Sequence, residues 1–211
     1  WKYRLYEKER PLHDEQDLFS MSSKDLMAAR FIPDLIQAGI ASLKIEGRMK
    51  SAYYIATLIK TYRLLIDEVY EKGNLSEERL LWYYQELAKA ENRPTAIGFY
   101  EGQPLPQAQL YGVNGAGVTQ EFIAYVLAYD ADTQIATLEV RNNFKPFIEA
   151  EVFGPHITTT RFTFAELYDK DGKAMEVAKT PMQIITAKVP CVMEKDAMIR
   201  KVMKKDRSAI Y

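Results

Sequence analysis

Between residues 51 and 88 the apolar positions recur with a helical period, and beyond residue 119 they recur with a period of two. Ile55, Leu58, Ile59, Tyr62, Leu65, Ile66 and Val69 follow the i, i+3, i+4, i+7 rule, while Lys60, Asp67 and Glu71 fall outside it. That pattern predicts a helix over Ser51–Lys72, ended by Gly73-Asn74. Ser76 is placed to cap a second helix, with Glu77 and Glu78 in its first turn and Leu80, Leu81, Tyr84, Leu87 and Ala88 as its apolar stripe. So short a connection predicts an αα-hairpin. Upstream, "FIPDLIQAG" predicts a short helix with Gly39 at its C′ position, and "IASLKIEG" predicts a strand. Helix, glycine and strand in succession read as one αβ step.

The period-two part opens with "EFIAYVLAYDADTQIATLEVRN", two strands about an acidic turn at Asp130–Thr133. "FIEAEVFGP", "TTTRFTFAEL", "MQIITAKVP" and "AMIRKVM" continue as short strands between turn-forming "GPH", "DKDG" and "KTP". Five to seven short antiparallel strands predict a small barrel or sandwich. The stretch Glu91–Val118 holds five of the ten glycines and three of the nine prolines, which predicts a linker partly ordered against its neighbours. The fold expected is therefore α+β: αβ elements and a helical hairpin over residues 1–90, a linker over 91–118, and a small antiparallel β-barrel over 119–211. At the amino end "LFSM" predicts a short strand, and Tyr3, Leu5 and Tyr6 are β-prone.

Composition narrows the functional classes. The chain has 211 residues, 47% hydrophobic and 27% charged, which suits one or two globular domains. Lys and Arg number 28 against 29 Asp and Glu, so partners of opposite charge could be attracted by local patches alone. One cysteine, Cys191, excludes an internal disulfide and a cysteine-only metal site, and fits a cytoplasmic location. No apolar run reaches the ~18 residues of a membrane span. The first residue is Trp1, which leads us to expect a longer parent protein.

Hydrolytic apparatus is hard to find. His13 and His156 stand singly, there is no H-E-x-x-H or G-x-S-x-G, and no metal site is expected. Cys191 in "KVPCVM" reads as a buried packing residue. Tyr53/Tyr54 and Trp82/Tyr83/Tyr84 read as helix packing.

"SLKIEGRMKS" is the exception. Lys44 and Glu46 stand two apart on the expected strand and share a face. Gly47 lets the chain turn, and Arg48 and Lys50 follow at the start of a helix, where the macrodipole favours anions. Two readings are open. Either Lys44 and Glu46 form a strand-end ion pair beside two solvated cations, or the cations hold an anionic ligand such as phosphate, carboxylate or RNA backbone. A second cationic stretch, Lys195, Arg200, Lys201, Lys204, Lys205 and Arg207, is either a nucleic-acid-facing edge or a solvated edge strand guarded by lysines.

At "SMSSKDL", "IPDLIQAGIASLKIEGRMKSAYYIATLIKTYR" and "IGFYEG", and again at "VTQEF", "VRNNF" and "VFGP", the sequence resembles the peptidase U32 family of collagenase-like proteases. The resemblance implies that the amino-terminal part closes a TIM-like αβ barrel, with "IASLKIEG" as its last strand and the following helix packed beside it. It implies an appended β-barrel similar to a translation-factor barrel. Two activities are implied: peptide hydrolysis, and RNA modification such as tRNA wobble-uridine hydroxylation supported by prephenate and an iron–sulfur cluster. A third possibility is a β-barrel adaptor for RNA or protein with no chemistry of its own. The expected partners are accordingly tRNA, another RNA or a protein substrate. Lys44, Glu46, Arg48 and Lys50 match the family motif: Lys44 and Glu46 become catalytic candidates, and Arg48 and Lys50 anion-binding ones. Many relatives carry a cluster cysteine where this chain has Met27, so no cofactor is expected within the chain itself.

Overall fold

The computed structural model describes residues 4, 6–11, 19–90, 94–104, 108–111 and 121–202, and the chain forms two compact units that divide at Val118/Thr119. Residues 203–211, which carry Lys204, Lys205 and Arg207 of the cationic tail, lie outside the described residues, as do His13, Tyr3 and Leu5.

In the first unit, β1 (Tyr6–Glu7) and β2 (Arg10–Pro11) form a small hairpin, followed by β3 (Phe19–Ser23) and β4 (Asp25–Leu26). A 3-10 turn at Ala29–Phe31 leads into α1 (Ile32–Gln37), with Pro33 in its first turn. Gly39 adopts φ +75° just beyond α1, and the Ile40 N–H donates to the Leu35 carbonyl at 3.1 Å, a glycine C-cap of the expected kind.

The helical hairpin comprises α2 (Ala52–Lys72) and α3 (Glu77–Ala88). Ser51 Oγ accepts from the Tyr54 N–H and Ser76 Oγ from the Arg79 N–H, each at 3.2 Å. Gly73 closes α2 at φ +75°. The apolar stripes meet in two clusters, one of Ile32, Leu65 and Tyr83 with Ile36 and Trp82, the other of Met27, Ala29 and Leu87 with Leu58 and Tyr84.

A polar knot joins the two helices. Glu68 accepts from Arg79 at 2.7 Å, from the Tyr83 hydroxyl at 2.7 Å and from Lys72 at 2.9 Å. Those donors, Arg79 foremost, hold the Glu68 carboxyl down to about 2 against the opposing pull of burial, while burial raises Tyr83 to about 12. A lowered carboxylate stabilises the fold fully above its ordinary value near 4.5, and loses that contribution as pH falls towards 2. We expect a midpoint loss of roughly 2 kcal/mol across that window, discounted because Arg79 and Lys72 touch water. In acid titrations of thermal unfolding, Glu68→Gln should lower stability at pH 7 and flatten the curve between pH 4.5 and 2. An unchanged curve would mean that the knot is energetically silent.

Two strands return from the glycine-rich stretch to the first unit. β5 (Thr95–Ala96) pairs in parallel with β4, Asp25 facing Thr95, and β6 (Gln109–Tyr111) pairs antiparallel with β3. The expected linker therefore contributes ladder partners over part of its length.

The second unit is one antiparallel sheet: β7 (Glu121–Asp130), β8 (Ile135–Val140), β9 (Glu149–Phe153), β10 (Thr160–Thr163), β11 (Leu167–Tyr168), β12 (Ala174–Met175), β13 (Ile184–Lys188) and β14 (Met198–Lys201). Its order is β10-β9-β14-β7-β8-β13-β11-β12. Among the described residues the sheet curls into a half-barrel, with the short strands β10 and β12 as its ends, and does not close as the expected barrel. Alternation selects the core: Ala124, Val126, Ala136, Leu138, Val140, Val152, Ile185, Ala187 and Ile199 face in, joined by Phe144, Phe162 and Phe164.

The cationic tail needs correction here. β14 lies between β9 and β7, so it is not an edge strand. Arg200 is 1% exposed and bonds Glu151 through Nε and Nη2, each at 2.8 Å. Glu151 faces Arg200 on β14 and Arg161 on β10, and accepts from Arg161 at 3.0 Å, so one carboxylate bridges three strands. A guanidinium in that position cannot meet a nucleic acid.

Candidate functional site

The strand expected over Ile40–Gly47 is absent: the segment runs without regular secondary structure, and Ser42, Leu43, Lys44 and Glu46 are exposed. A strand needs a neighbour to complete its ladder, and among the described residues no segment pairs with it. Lys44 and Glu46 thus do not share a strand face as expected, although both line one cleft.

The cations before α2 have carboxylates of their own. Glu46 Oε1 accepts from the Arg48 backbone N–H at 3.2 Å and from Arg48 Nε at 3.1 Å, with the two side chains 57% and 89% exposed. The Arg48 N–H is the main reason that Glu46 titrates below its ordinary value. Lys50 Nζ lies 2.6 Å from Asp25 Oδ2, in a pair only 18% and 21% exposed, and 4.6 Å from the centre of the Tyr54 ring. The Tyr54 hydroxyl reaches the same Asp25 oxygen at 3.5 Å. Asp25 on β4 and Lys50 at the start of α2 are 25 residues apart, so this pair ties the small parallel sheet to the long helix. The dipole conflict is thus met from within, Glu46 answering Arg48 and Asp25 answering Lys50.

A cleft of about 630 Å³ gathers Glu46, Lys50, Asp25 and Tyr54 but not Arg48, and is lined by Ser42–Glu46, Lys24, Asp25, Lys50, Arg63 and the rings of Tyr54, Tyr62 and Tyr100, among others. Arg63 is engaged with Asp67, one turn on, through Nε at 3.0 Å. The Tyr62 hydroxyl accepts from the Ala28 N–H at 3.2 Å, and burial pushes its titration up to about 12, so it stays a neutral phenol. Among the described residues, Lys24 and Lys44 have no carboxylate within ion-pair distance. Asp25, Lys24 and the three tyrosines escaped the sequence reasoning. Tyr54, four residues beyond Lys50 at a helix start, carried a local signal, whereas the pairing with Asp25 has none.

The other candidates fall away from the cleft. Cys191 is half-buried against the half-barrel core, and burial raises its thiol. His156 is exposed, its backbone N–H donating to Glu194 at 3.0 Å. Among the described residues no group of three or more His, Cys, Asp or Glu is placed to hold a metal, and no helix is long and apolar enough to cross a membrane.

Comparison with known proteins gives this arrangement its lineage. The model of peptidase family U32 matches residues 1–110, and that of the peptidase family U32 C-terminal domain matches residues 118–200. The chain belongs to peptidase family U32. This U32 chain is 40% identical over 206 residues to tRNA hydroxylation protein P1 of Bacillus subtilis (strain 168), covering 95% of the chain and 49% of that protein. It is 31% identical over 130 residues to a collagenase of Porphyromonas gingivalis, covering 61% and 31%. To tRNA hydroxylation protein P of Escherichia coli (strain K12) it is 30% identical over 183 residues, covering 86% and 39%. The chain therefore spans about half the length, or less, of these relatives. Among solved structures, the C-terminal domain of a Geobacillus thermoleovorans U32-family protein is similar at 40% identity and TM-score 0.38, covering 38% of this chain and 91% of that one.

The iron–sulfur cluster implied by the family resemblance can be tested against the residues present. Such clusters take several thiolates, and this U32 chain has one cysteine. Met27, at the position in question, is buried in the apolar cluster with Ala29 and Leu87. The residues of this chain do not form a cluster's donor set.

Proposed function

We propose that the full-length U32 protein hydroxylates tRNA and that this chain supplies a cationic, tyrosine-lined cleft to the RNA. The observation that carries the reading is the make-up of that cleft: Lys24, Lys44, Lys50 and Arg63 beside Tyr54, Tyr62 and Tyr100. Cations interleaved with aromatic rings suit phosphates and bases. A peptidase needs an activated nucleophile or a metal, and the cleft's two serines, Ser23 and Ser42, have no histidine among the lining residues. The likeness to a tRNA hydroxylation protein over 95% of the chain supports the same choice over the collagenase reading, whose match covers 61%. We infer also that Ile40–Gly47 is a strand of an αβ barrel completed by the rest of the longer protein, which would give the alternating segment its ladder.

Two assays on the full-length protein test the reading. Filter binding to bulk tRNA is expected to weaken steeply as salt rises, and casein and gelatin are expected to survive prolonged incubation. Casein turnover abolished by mutating a residue of this chain would favour the peptidase instead.

A further inference from the structure

A second hollow, of about 730 Å³, adjoins the cleft, sharing Ser23, Lys24, Leu26 and Tyr100 with it. The two form one groove with a charged lobe at Lys44 and an apolar lobe at Phe99. The apolar lobe is built on the turn Ile97–Gly102. Gly98 adopts φ +61° and Gly102 φ +105°, and a Cβ at Gly98 would stand 2.9 Å from Leu26 Cδ1, so the turn needs both its glycines.

The turn is held to the Arg30-Phe31 segment by two neighbouring contacts. Tyr100 stacks on Phe31 with ring centres 4.5 Å apart and planes 11° from parallel, and Glu101 pairs with Arg30 at 3.1 Å. Just before these anchors Phe99 stands 78% exposed. A rigid turn that displays a bare ring beside a lysine is a stacking platform with a charge at its edge. In the charged lobe, Lys50 and Arg63 are already matched to Asp25 and Asp67, and Arg48, which does not line the lobe, is matched to Glu46. Lys24 and Lys44 are the lining cations with no such match among the described residues.

We propose that this groove receives one unpaired nucleotide of an RNA strand, its phosphate on Lys24 and Lys44 and its base against Phe99. The inference rests on the RNA reading above and deepens it. It moves the anion contact from Arg48 and Lys50 to the two lysines that have no carboxylate within ion-pair distance among the described residues, Lys44 acting on Glu46 only at longer range. A base can reach the Phe99 ring when it is out of its stack, so the groove selects single strands over duplex. An acidic peptide would satisfy the lysines and leave the ring unused.

The experiment uses the full-length protein and a fluorescein-labelled single-stranded RNA hexamer, with the corresponding duplex as comparison. Phe99→Ala is expected to weaken hexamer binding roughly tenfold, and Phe99→Trp to retain it. Lys24→Gln and Lys44→Gln are each expected to reduce the salt slope by about 0.7, the loss of one phosphate contact on a single strand. Because Phe99 is exposed, its replacement leaves the fold standing, which circular dichroism checks. Independently, photocrosslinking of a 4-thiouridine hexamer to the unmutated protein is expected to label the segment Pro94–Pro104. Variants that bind as the parent does, crosslinks confined to other segments, equal affinity for duplex, or displacement of the hexamer by an acidic peptide of equal charge would each overturn the site while leaving the RNA reading intact. A parent protein that binds no RNA would remove both.

Discussion

Glu151→Gln is expected to lower the stability of the half-barrel by about 3 kcal/mol or more, the usual cost of breaking a buried ion pair. Arg200 is 1% exposed and sits 2.8 Å from the Glu151 carboxylate, so the substitution strands a desolvated guanidinium. The Arg161 contact to the same carboxylate fails at the same time. Hydrogen exchange of the β9 and β14 amides reads the effect where it arises, and urea unfolding gives its size. Replacing both partners, Glu151→Leu with Arg200→Met, is expected to recover most of the loss, because the cost lies in the unpaired charge rather than in missing attraction. If the double variant is as unstable as the single one, the Glu151–Arg200 pair is needed for shape and not for charge balance.

Lys44→Met in the full-length protein is expected to reduce tRNA hydroxylation at least a hundredfold while leaving the melting temperature unchanged. Lys44 is exposed in the cleft, and among the described residues it belongs to neither apolar cluster of the first unit. Lys50→Met behaves in the opposite way: it leaves the half-buried Asp25 carboxylate without its cation and lowers stability by about 1–2 kcal/mol. Parallel measurement of the thermal midpoint and of modified nucleoside per mole of protein separates the two. Full activity in Lys44→Met would demote the motif to a structural turn. A melting loss there equal to that of Lys50→Met would show that Lys44 is structural as well.

What the sequence disclosed depended on how local each signal was. The hairpin α2–α3 was legible because its period, its capping serines and Gly73 all lie within the elements they define. The strands of the second unit were legible for the same reason, since alternation and turn residues mark each of them locally. The pairing order was not, and Arg200 shows the consequence. Read along the chain it belongs to a cationic tail, whereas β14 is threaded between β9 and β7 and brings it to Glu151, 49 residues away. The segment Ile40–Gly47 failed in the other direction. Its alternation is that of a strand, but a ladder requires a second chain segment, and none of the described residues supplies one. The ion pair of Lys50 in that motif was not legible, because Asp25, which answers it, carries no mark of that role in its own neighbourhood. Lys24 and Phe99 were hidden alike, each ordinary in sequence and notable only where the turn Ile97–Gly102 brings them to one groove.

The central claim, that the full-length protein hydroxylates tRNA, is tested most directly by mass spectrometry of tRNA nucleosides from cells lacking its gene. Hydroxylated uridine, the product that the family resemblance implies, is expected to fall in the deletion strain and to return when the full-length gene is restored. A nucleoside profile identical in the parent, deletion and restored strains would contradict the claim.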